Sequence, residues 1–186
     1  MIETSIRGVE LVLETAPSLF SPRRIDPGTL AMLSQVDLGA DDRVVDLGCG
    51  YGVVGILAAK LIGADRVTMI DVDPLAIDVA KRNAARNRVA DVAIVLSDGF
   101  DGLDAAGFSH ILCNPPYHVD FAVPKRFIQK GFNRLRIGGA FWLVAQRDSW
   151  YRNKLRSIFG DVREHPVGPY RVFSAIKRAH RYARSA

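Results

Sequence analysis

The stretch V-V-D-L-G-C-G-Y-G at residues 44–52 decides the architecture of this chain. A short apolar strand, Arg43 to Leu47, hands over to glycines at 48, 50 and 52, and Val53 to Leu61 is then apolar enough for a buried helix. Glycines at such a handover let the backbone turn tightly and approach a ligand that a Cβ would exclude. The same alternation continues outward. Further strands are expected at Arg66–Asp71, Val92–Leu96, His110–Cys113 and Ala140–Ala145, the last entered through a Gly138-Gly139 turn. Helices are expected from Asp73-Pro74 to Asn87, from Pro124 to Leu135 and from Trp150 to Ile158; two closing strands, near Val162–Pro166 and Arg171–Ile176, flank Gly168-Pro169. Before the glycine loop, an extended stretch Glu10–Thr15 and a helix Pro27–Val36 capped by Asp26 form a lid-like preamble within residues 1–40. Strands alternating with helices predict an α/β fold with a mostly parallel sheet, helices on both faces and ligands at the C-terminal ends of the strands.

Gly50 to Gly55 also satisfies G-x-G-x-x-G, and Asp71 lies 19 residues after Gly52, the spacing of a ribose-binding acid in a dinucleotide site. Asp46 argues against a dinucleotide, because a carboxylate two residues before the first glycine would repel a pyrophosphate across a short gap. It suits a cation. S-adenosylmethionine carries an ammonium and a sulfonium and no phosphate, so Asp46 matches its amino-acid end and Asp71, with Val72 beside it, its ribose. Asp98 follows the third strand at the same sheet edge and can accept the adenine amino group, with Gly99 and Phe100 bordering the ring. Cys49 reads as a small residue within the loop. Asp73 reads first as a helix cap.

After the fourth strand comes N-P-P-Y at 114–117, a set whose residue types suit one chemistry. An exocyclic or amide nitrogen is a poor nucleophile because its lone pair is delocalised. Two acceptors, the Asn114 side-chain oxygen and a backbone carbonyl of Pro115-Pro116, can bind its N–H groups and aim the recovered lone pair at a methyl, by positioning and electrostatics. The prolines stiffen the loop, and Tyr117 offers a face on which a planar base or amide stacks. His118 is a candidate substrate contact; Asp120 reads as an exposed loop residue.

The net charge of +5 is polarised along the chain: residues 1–120 hold 10 basic and 17 acidic side chains, and residues 121–186 hold 15 and 3. A C-terminal third this basic suits a polyanion, since neutralised phosphates release counterions. Lys125, Arg126, Lys130 and Arg134 recur at helical spacing and are expected to share one face, and residues 177–186 form a basic tail. No apolar run reaches the ~20 residues of a membrane span and the N-terminus lacks the zones of a secretory signal, so a cytoplasmic protein is expected. The two cysteines, Cys49 and Cys113, have no His or Cys at metal-ligand spacing, so neither a disulfide framework nor a metal site is expected. The length fits one domain over 1–186.

With M-I-D-V-D at 69–73 and L-S-D-G-F at 96–100, the glycine loop and N-P-P-Y resemble the class I S-adenosylmethionine-dependent methyltransferases over about residues 20–177. The resemblance implies a Rossmann-like, doubly wound, seven-stranded sheet with an antiparallel last strand. It also implies Asp46 and Gly48, Cys49, Gly50 and Gly52 near the methionine moiety, Asp71 on the ribose, Asp98 at adenine, and Asn114 between cofactor and substrate. More locally, F-S-P-R-R-I-D-P-G-T at 20–29, H-I-L-C-N-P-P-Y-H at 110–118 and G-P-Y-R-V-F-S-A-I-K-R at 168–178 resemble the small methyltransferase family that includes guanine-N2 methyltransferases of small-subunit ribosomal RNA. From that family Phe20 and Asp26 carry over as substrate contacts, and ribosomal RNA or the small subunit as partner through the basic third. Long bacterial members place a second, degenerate domain ahead of the catalytic one. This chain begins about twenty residues before its first motif, so its RNA-docking surface is expected within this domain or from a partner.

The rivals differ in substrate. A glutamine methyltransferase of release factors also uses N-P-P-Y but needs no basic face; an adenine-N6 methyltransferase of nucleic acid ranks after it. A catalytically idle S-adenosylmethionine-binding partner conflicts with the intact Asn114 and Tyr117, and a nicotinamide oxidoreductase with Asp46.

Overall fold

A computed structural model describes residues 1–115, 121–146 and 149–183. Seven strands form one sheet in the order β5-β4-β3-β6-β7-β9-β8, comprising β3 (Val44–Leu47), β4 (Val67–Asp71), β5 (Ala93–Leu96), β6 (Phe108–Cys113), β7 (Leu135–Ala145), β8 (Arg163–Val167) and β9 (Tyr170–Ile176). From β5 across to β7 every pairing is parallel, and β9 runs antiparallel between β7 and β8. The chain winds outward from β3 through β4 to β5 and then restarts on the other side at β6. The C-terminal ends of β3 and β6 therefore diverge into a crevice, where open α/β sheets bind ligands.

Side chains alternate between two cores. On β6, Leu112 faces one and Ile111 and Cys113 the other. The first core is covered by α1 (Pro27–Leu33), α2 (Val53–Ile62) and α3 (Pro74–Arg86), the second by α4 (Ala122–Arg134) and α5 (Ser149–Phe159). Every residue of α2 from Val53 to Ala59 is buried, as its unbroken apolar run requires; α3 buries only one stripe, including Ile77, Ala80 and Ala84.

Two features depart from the sequence reading. The N-terminal segment is a hairpin, β1 (Ile2–Ile6) and β2 (Val9–Leu13), where only a single extended stretch was expected. It docks through asparagines of α3. Asn87 exchanges hydrogen bonds with the Val12 N–H (3.0 Å) and C=O (2.8 Å), and Asn83 with the Glu14 N–H (2.6 Å) and C=O (2.8 Å), so two side chains stand in for a neighbouring strand. Asn83 also donates to the Tyr51 carbonyl at 2.8 Å, linking the hairpin to the glycine loop. Asn83→Ala is expected to cost about 2 kcal/mol in denaturant unfolding, because it leaves backbone groups at Glu14 and Tyr51 unpaired. The second departure is at Gly138-Gly139, which makes an irregularity inside β7. The register against β6 shifts between Phe108 and His110, while the Gly138 N–H bonds the Lys177 carbonyl at 2.8 Å. A side chain at Gly139 would come within 2.8 Å of the Phe108 carbonyl oxygen.

Candidate active site

The crevice holds a cavity of about 500 Å³, within the range of small-molecule sites, lined from the C-terminal ends of β3, β4, β5 and β6 and from the preamble and α4. Its floor is the glycine loop. The Gly48 and Cys49 N–H groups both bond the Ile70 carbonyl (2.9 Å each), and Gly50 donates to Asp71 Oδ2 at 2.7 Å. Gly48 (φ 76°) and Gly50 (φ 53°) occupy the left-handed region, with open space where a Cβ would stand. Gly55 serves packing instead: a Cβ there would lie 2.3 Å from Met69 Cγ, so its absence lets α2 press against β4.

The carboxylates take three distinct settings. Asp71 is a staple, accepting from Gly50 through Oδ2 and from the Asp73 N–H (3.0 Å) through Oδ1. Asp46 is 3% exposed, and its Oδ2 accepts the Gly55 N–H at 2.8 Å. Burial pushes its carboxyl up to about 7, the Gly55 hydrogen bond holding it down only in part and the Asp71 charge raising it further. Asp98, expected at adenine, forms an ion pair with Arg126 of α4. Gly99 and Phe127 then meet so closely that a Cβ on Gly99 would lie 2.8 Å from the ring.

Asn114 is held from the preamble. Its Nδ2 donates to Asp26 Oδ2 and to Thr29 Oγ1, both at 2.9 Å, and the same Asp26 oxygen accepts the Thr29 N–H at 2.8 Å as the cap of α1. A carboxylate only accepts, so the amide NH2 must face Asp26 and the orientation is fixed. Asn114 Oδ1 is buried and has no hydrogen-bond partner among the described residues, an acceptor whose desolvation a donor would compensate. Tyr51 ties the preamble down by donating to the Ser21 and Arg24 carbonyls (3.3 and 3.4 Å).

Of the residues expected here, Phe20, Asp26, Asp46, Gly48, Cys49 and Gly50 line this one cavity, as do Asp71, Val72, Asp98, Gly99, Asn114 and Pro115. Phe100 does not. It is 1% exposed and packed in the second core with Leu103 and Phe108, and the aromatic wall is Phe127. Gly52 lies behind the loop, where a Cβ would meet Met69 at 2.8 Å. Pro116, Tyr117, His118 and Asp120 lie outside the described residues. Thr29, Arg126 and Phe127 were not anticipated; Asp-Pro-Gly-Thr at 26–29 carries a signal for Thr29, whereas Arg126 and Phe127 stand only in a helical pattern.

Arg126, Lys130 and Arg134 share one face of α4, as their spacing predicts, but that face is paired within the chain. Arg126 and Lys130 pair with Asp98 and Asp101, and Arg134 donates to the Asp104 carbonyl at 3.1 Å, so these cations face an acidic loop of the same chain. The tail is placed as far as Ala183: Lys177 is buried and donates to the Leu135 carbonyl at 2.8 Å, and Tyr182 packs edge-on to Phe132. Cys49 and Cys113 are free and buried, and burial pushes both thiols up.

A nucleotide-like ligand without phosphate fits this donor set. Arg126 is the one cation among the described residues that line the cavity and it is paired with Asp98, a buried carboxylate stands beside the glycine loop, and the apolar wall includes Leu47, Ile70 and Phe127. Fold and site together define the class, an S-adenosylmethionine-dependent methyltransferase domain. The chain belongs to the methyltransferase small domain family, whose model matches residues 10–174. The ribosomal RNA small subunit methyltransferase C of Pseudomonas paraeruginosa is 32% identical over 171 residues, covering 89% of this chain and 51% of that protein. The ribosomal RNA large subunit methyltransferase G of Aeromonas hydrophila is 28% identical, covering 93% and 48%. Among solved structures, the Thermus thermophilus 16S rRNA N2 methyltransferase in complex with AdoMet and guanosine superposes with a TM-score of 0.80 at 30% identity, covering 95% of this chain and 50% of that one. The chain thus spans about half the length of the relatives it matches. Among the described residues no helix is long and apolar enough to cross a membrane, and no His, Cys, Asp and Glu cluster stands at metal-binding distance.

Asp46 gives a pH dependence. Its raised folded-state value means that ionising it costs the unliganded protein stability above pH 7, and acidification through pH 7 recovers that cost. The protonated form has no charge to offer a cofactor ammonium. Calorimetric titration with S-adenosylhomocysteine is expected to show affinity falling by up to about tenfold per pH unit below pH 7, while the unliganded protein gains stability from this group. Affinity constant down to pH 5.5 would place the ammonium elsewhere.

Proposed function

We propose that this chain transfers a methyl group to the exocyclic N2 amine of guanine in small-subunit ribosomal RNA, as a single domain acting in the cytoplasm. The observation that carries the reading is the clamped amide of Asn114, whose buried Oδ1 has no partner among the described residues while its NH2 is fixed by Asp26 and Thr29. Such an acceptor suits a donor bearing two N–H groups on a delocalised nitrogen. The relatives named for ribosomal RNA methylation, and the neighbour holding guanosine, support the choice of base and RNA class.

When bound, S-adenosylmethionine supplies an electrophilic methyl. Asp46 would hold its ammonium, Asp71 its ribose hydroxyls, and Ser97, Gly99 and Phe127 its adenine. Asn114 Oδ1 accepts one N–H of the base amine, and the carbonyl of Pro115 is the candidate for the other. The lone pair so recovered would be available to the methyl that the bound cofactor supplies, leaving S-adenosylhomocysteine, and the surplus proton of the amine would pass to water. No buried general base is needed, because the amine becomes acidic only as the new bond forms. Proline at 115 keeps a backbone donor away from this point.

Incubation with labelled S-adenosylmethionine and, separately, deproteinised ribosomal RNA, small and large subunits, and a release factor tests the reading. Mass spectrometry of the digests should find N2-methylguanosine from the small-subunit RNA. Label on a glutamine amide, on adenine or only in the large subunit would replace it.

A further inference from the structure

Some basic residues of the C-terminal third are paired within the chain, whereas Lys125, Lys154, Arg156, Arg163, Arg171 and Arg181 make no ion pair among the described residues. Arg136, Arg152 and Arg178 pair with Asp42, Glu164 and Asp161, as Arg126 and Lys130 do with the acidic loop. Lys125 and Lys154 stand near each other. Each sits one helical turn beyond an aromatic residue: Lys125 donates its N–H to the Phe121 carbonyl (3.0 Å), and Lys154 follows Trp150 at the same four-residue spacing. Burial lowers the Lys154 ammonium and the Lys125 charge lowers it further, a like-charge approach that an anion would relieve.

The aromatic pair completes a platform. Phe121 stacks on Trp150 with ring centroids 4.5 Å apart and an interplanar angle of 29°, and the buried Tyr151 braces both edge-on, at 6.4 and 5.3 Å. Phe121 remains 45% exposed. Both helices begin at the C-terminal edge of the sheet, the edge that holds Asn114, so their positive N-terminal ends stand on the side of the lysines. An exposed aromatic residue beside two ammoniums with no ion pair among the described residues is the chemistry of a single-stranded nucleic acid site, where a base stacks and its phosphate is neutralised. A protein partner would need acidic side chains opposite the lysines.

We propose that the first turns of α4 and α5 dock the RNA strand beside the target base, Phe121 stacking a flanking base and Lys125 and Lys154 holding its phosphate. The proposal rests on the reading that the substrate is RNA. Filter binding of end-labelled, deproteinised small-subunit ribosomal RNA across a salt series tests it, with S-adenosylhomocysteine affinity measured on every variant to verify the fold. The Lys125→Gln/Lys154→Gln double variant should lower the slope of log affinity against log salt by about one, the share of the single phosphate they hold, and Phe121→Ala should weaken binding by roughly five- to a hundredfold, with Phe121→Tyr restoring it. Arg163→Gln, at the far edge of the sheet, should leave both quantities unchanged. Undiminished affinity and slope in the double variant and in Phe121→Ala would overturn this docking surface and leave the RNA reading standing. No salt-dependent RNA binding by the unaltered chain, with label appearing on a protein, would overturn both.

Discussion

Asn114→Ala is expected to lower turnover by about 10²–10³-fold while the affinity for S-adenosylhomocysteine stays within about threefold. The asymmetry follows from where its bonds go. The NH2 is spent on Asp26 and Thr29, and Oδ1, without a partner among the described residues, is the group proposed to meet substrate. Losing that acceptor removes an interaction that strengthens as the amine gains positive charge, so the rate constant falls and ground-state cofactor binding does not. Asp26→Ala separates positioning from contact. It leaves Oδ1 in place but frees the amide to turn, and it removes the cap of α1. A smaller loss of turnover is expected, about tenfold, together with about 1 kcal/mol of stability. Parallel loss of cofactor affinity in Asn114→Ala would make the amide a wall of the cavity and not a partner of the reacting nitrogen.

The architecture was legible because it rests on local signals. Glycines between an apolar strand and an apolar helix, and Asp-Pro caps at 26–27 and 73–74, act within a few residues, and the helices they start begin where expected. The hairpin was less legible because α3 asparagines satisfy its edge across more than sixty positions of sequence, a pairing no periodicity announces. Gly138-Gly139 misled because the same residue pair serves a turn and a bulge, and only β6 and Lys177 alongside decide which. At the site, carboxylates at strand ends could be placed from strand register alone, whereas Phe100 and Phe127 were exchanged. The loop after β5 turns Phe100 into the core, and α4 reaches back over Gly99. Charge was the least transferable signal. Composition counts Arg126 and Lys130 as free cations, yet their partners lie nearly thirty residues upstream.

Asp71→Ala is expected to weaken S-adenosylhomocysteine binding about a hundredfold, or about 3 kcal/mol. One carboxylate is proposed to do two jobs in this fold. It accepts from Gly50 at 2.7 Å and from Asp73 at 3.0 Å, which fixes the glycine loop against the start of α3, and its remaining lone pairs face the cavity where a ribose would bind. Truncation removes the ligand contact and also releases two backbone donors, so affinity and melting temperature should fall together. Asp71→Asn distinguishes the two contributions. Its carbonyl oxygen can keep one backbone bond, but the NH2 must then oppose the other N–H, so the loop loosens in part and affinity should drop about tenfold. If Asp71→Ala melts earlier yet binds the nucleoside unchanged, the residue is a staple alone and the ribose hydroxyls find their acceptor elsewhere in the cavity. If affinity falls with no change in melting, the loop is held by its paired bonds to the Ile70 carbonyl and the carboxylate serves the ligand alone.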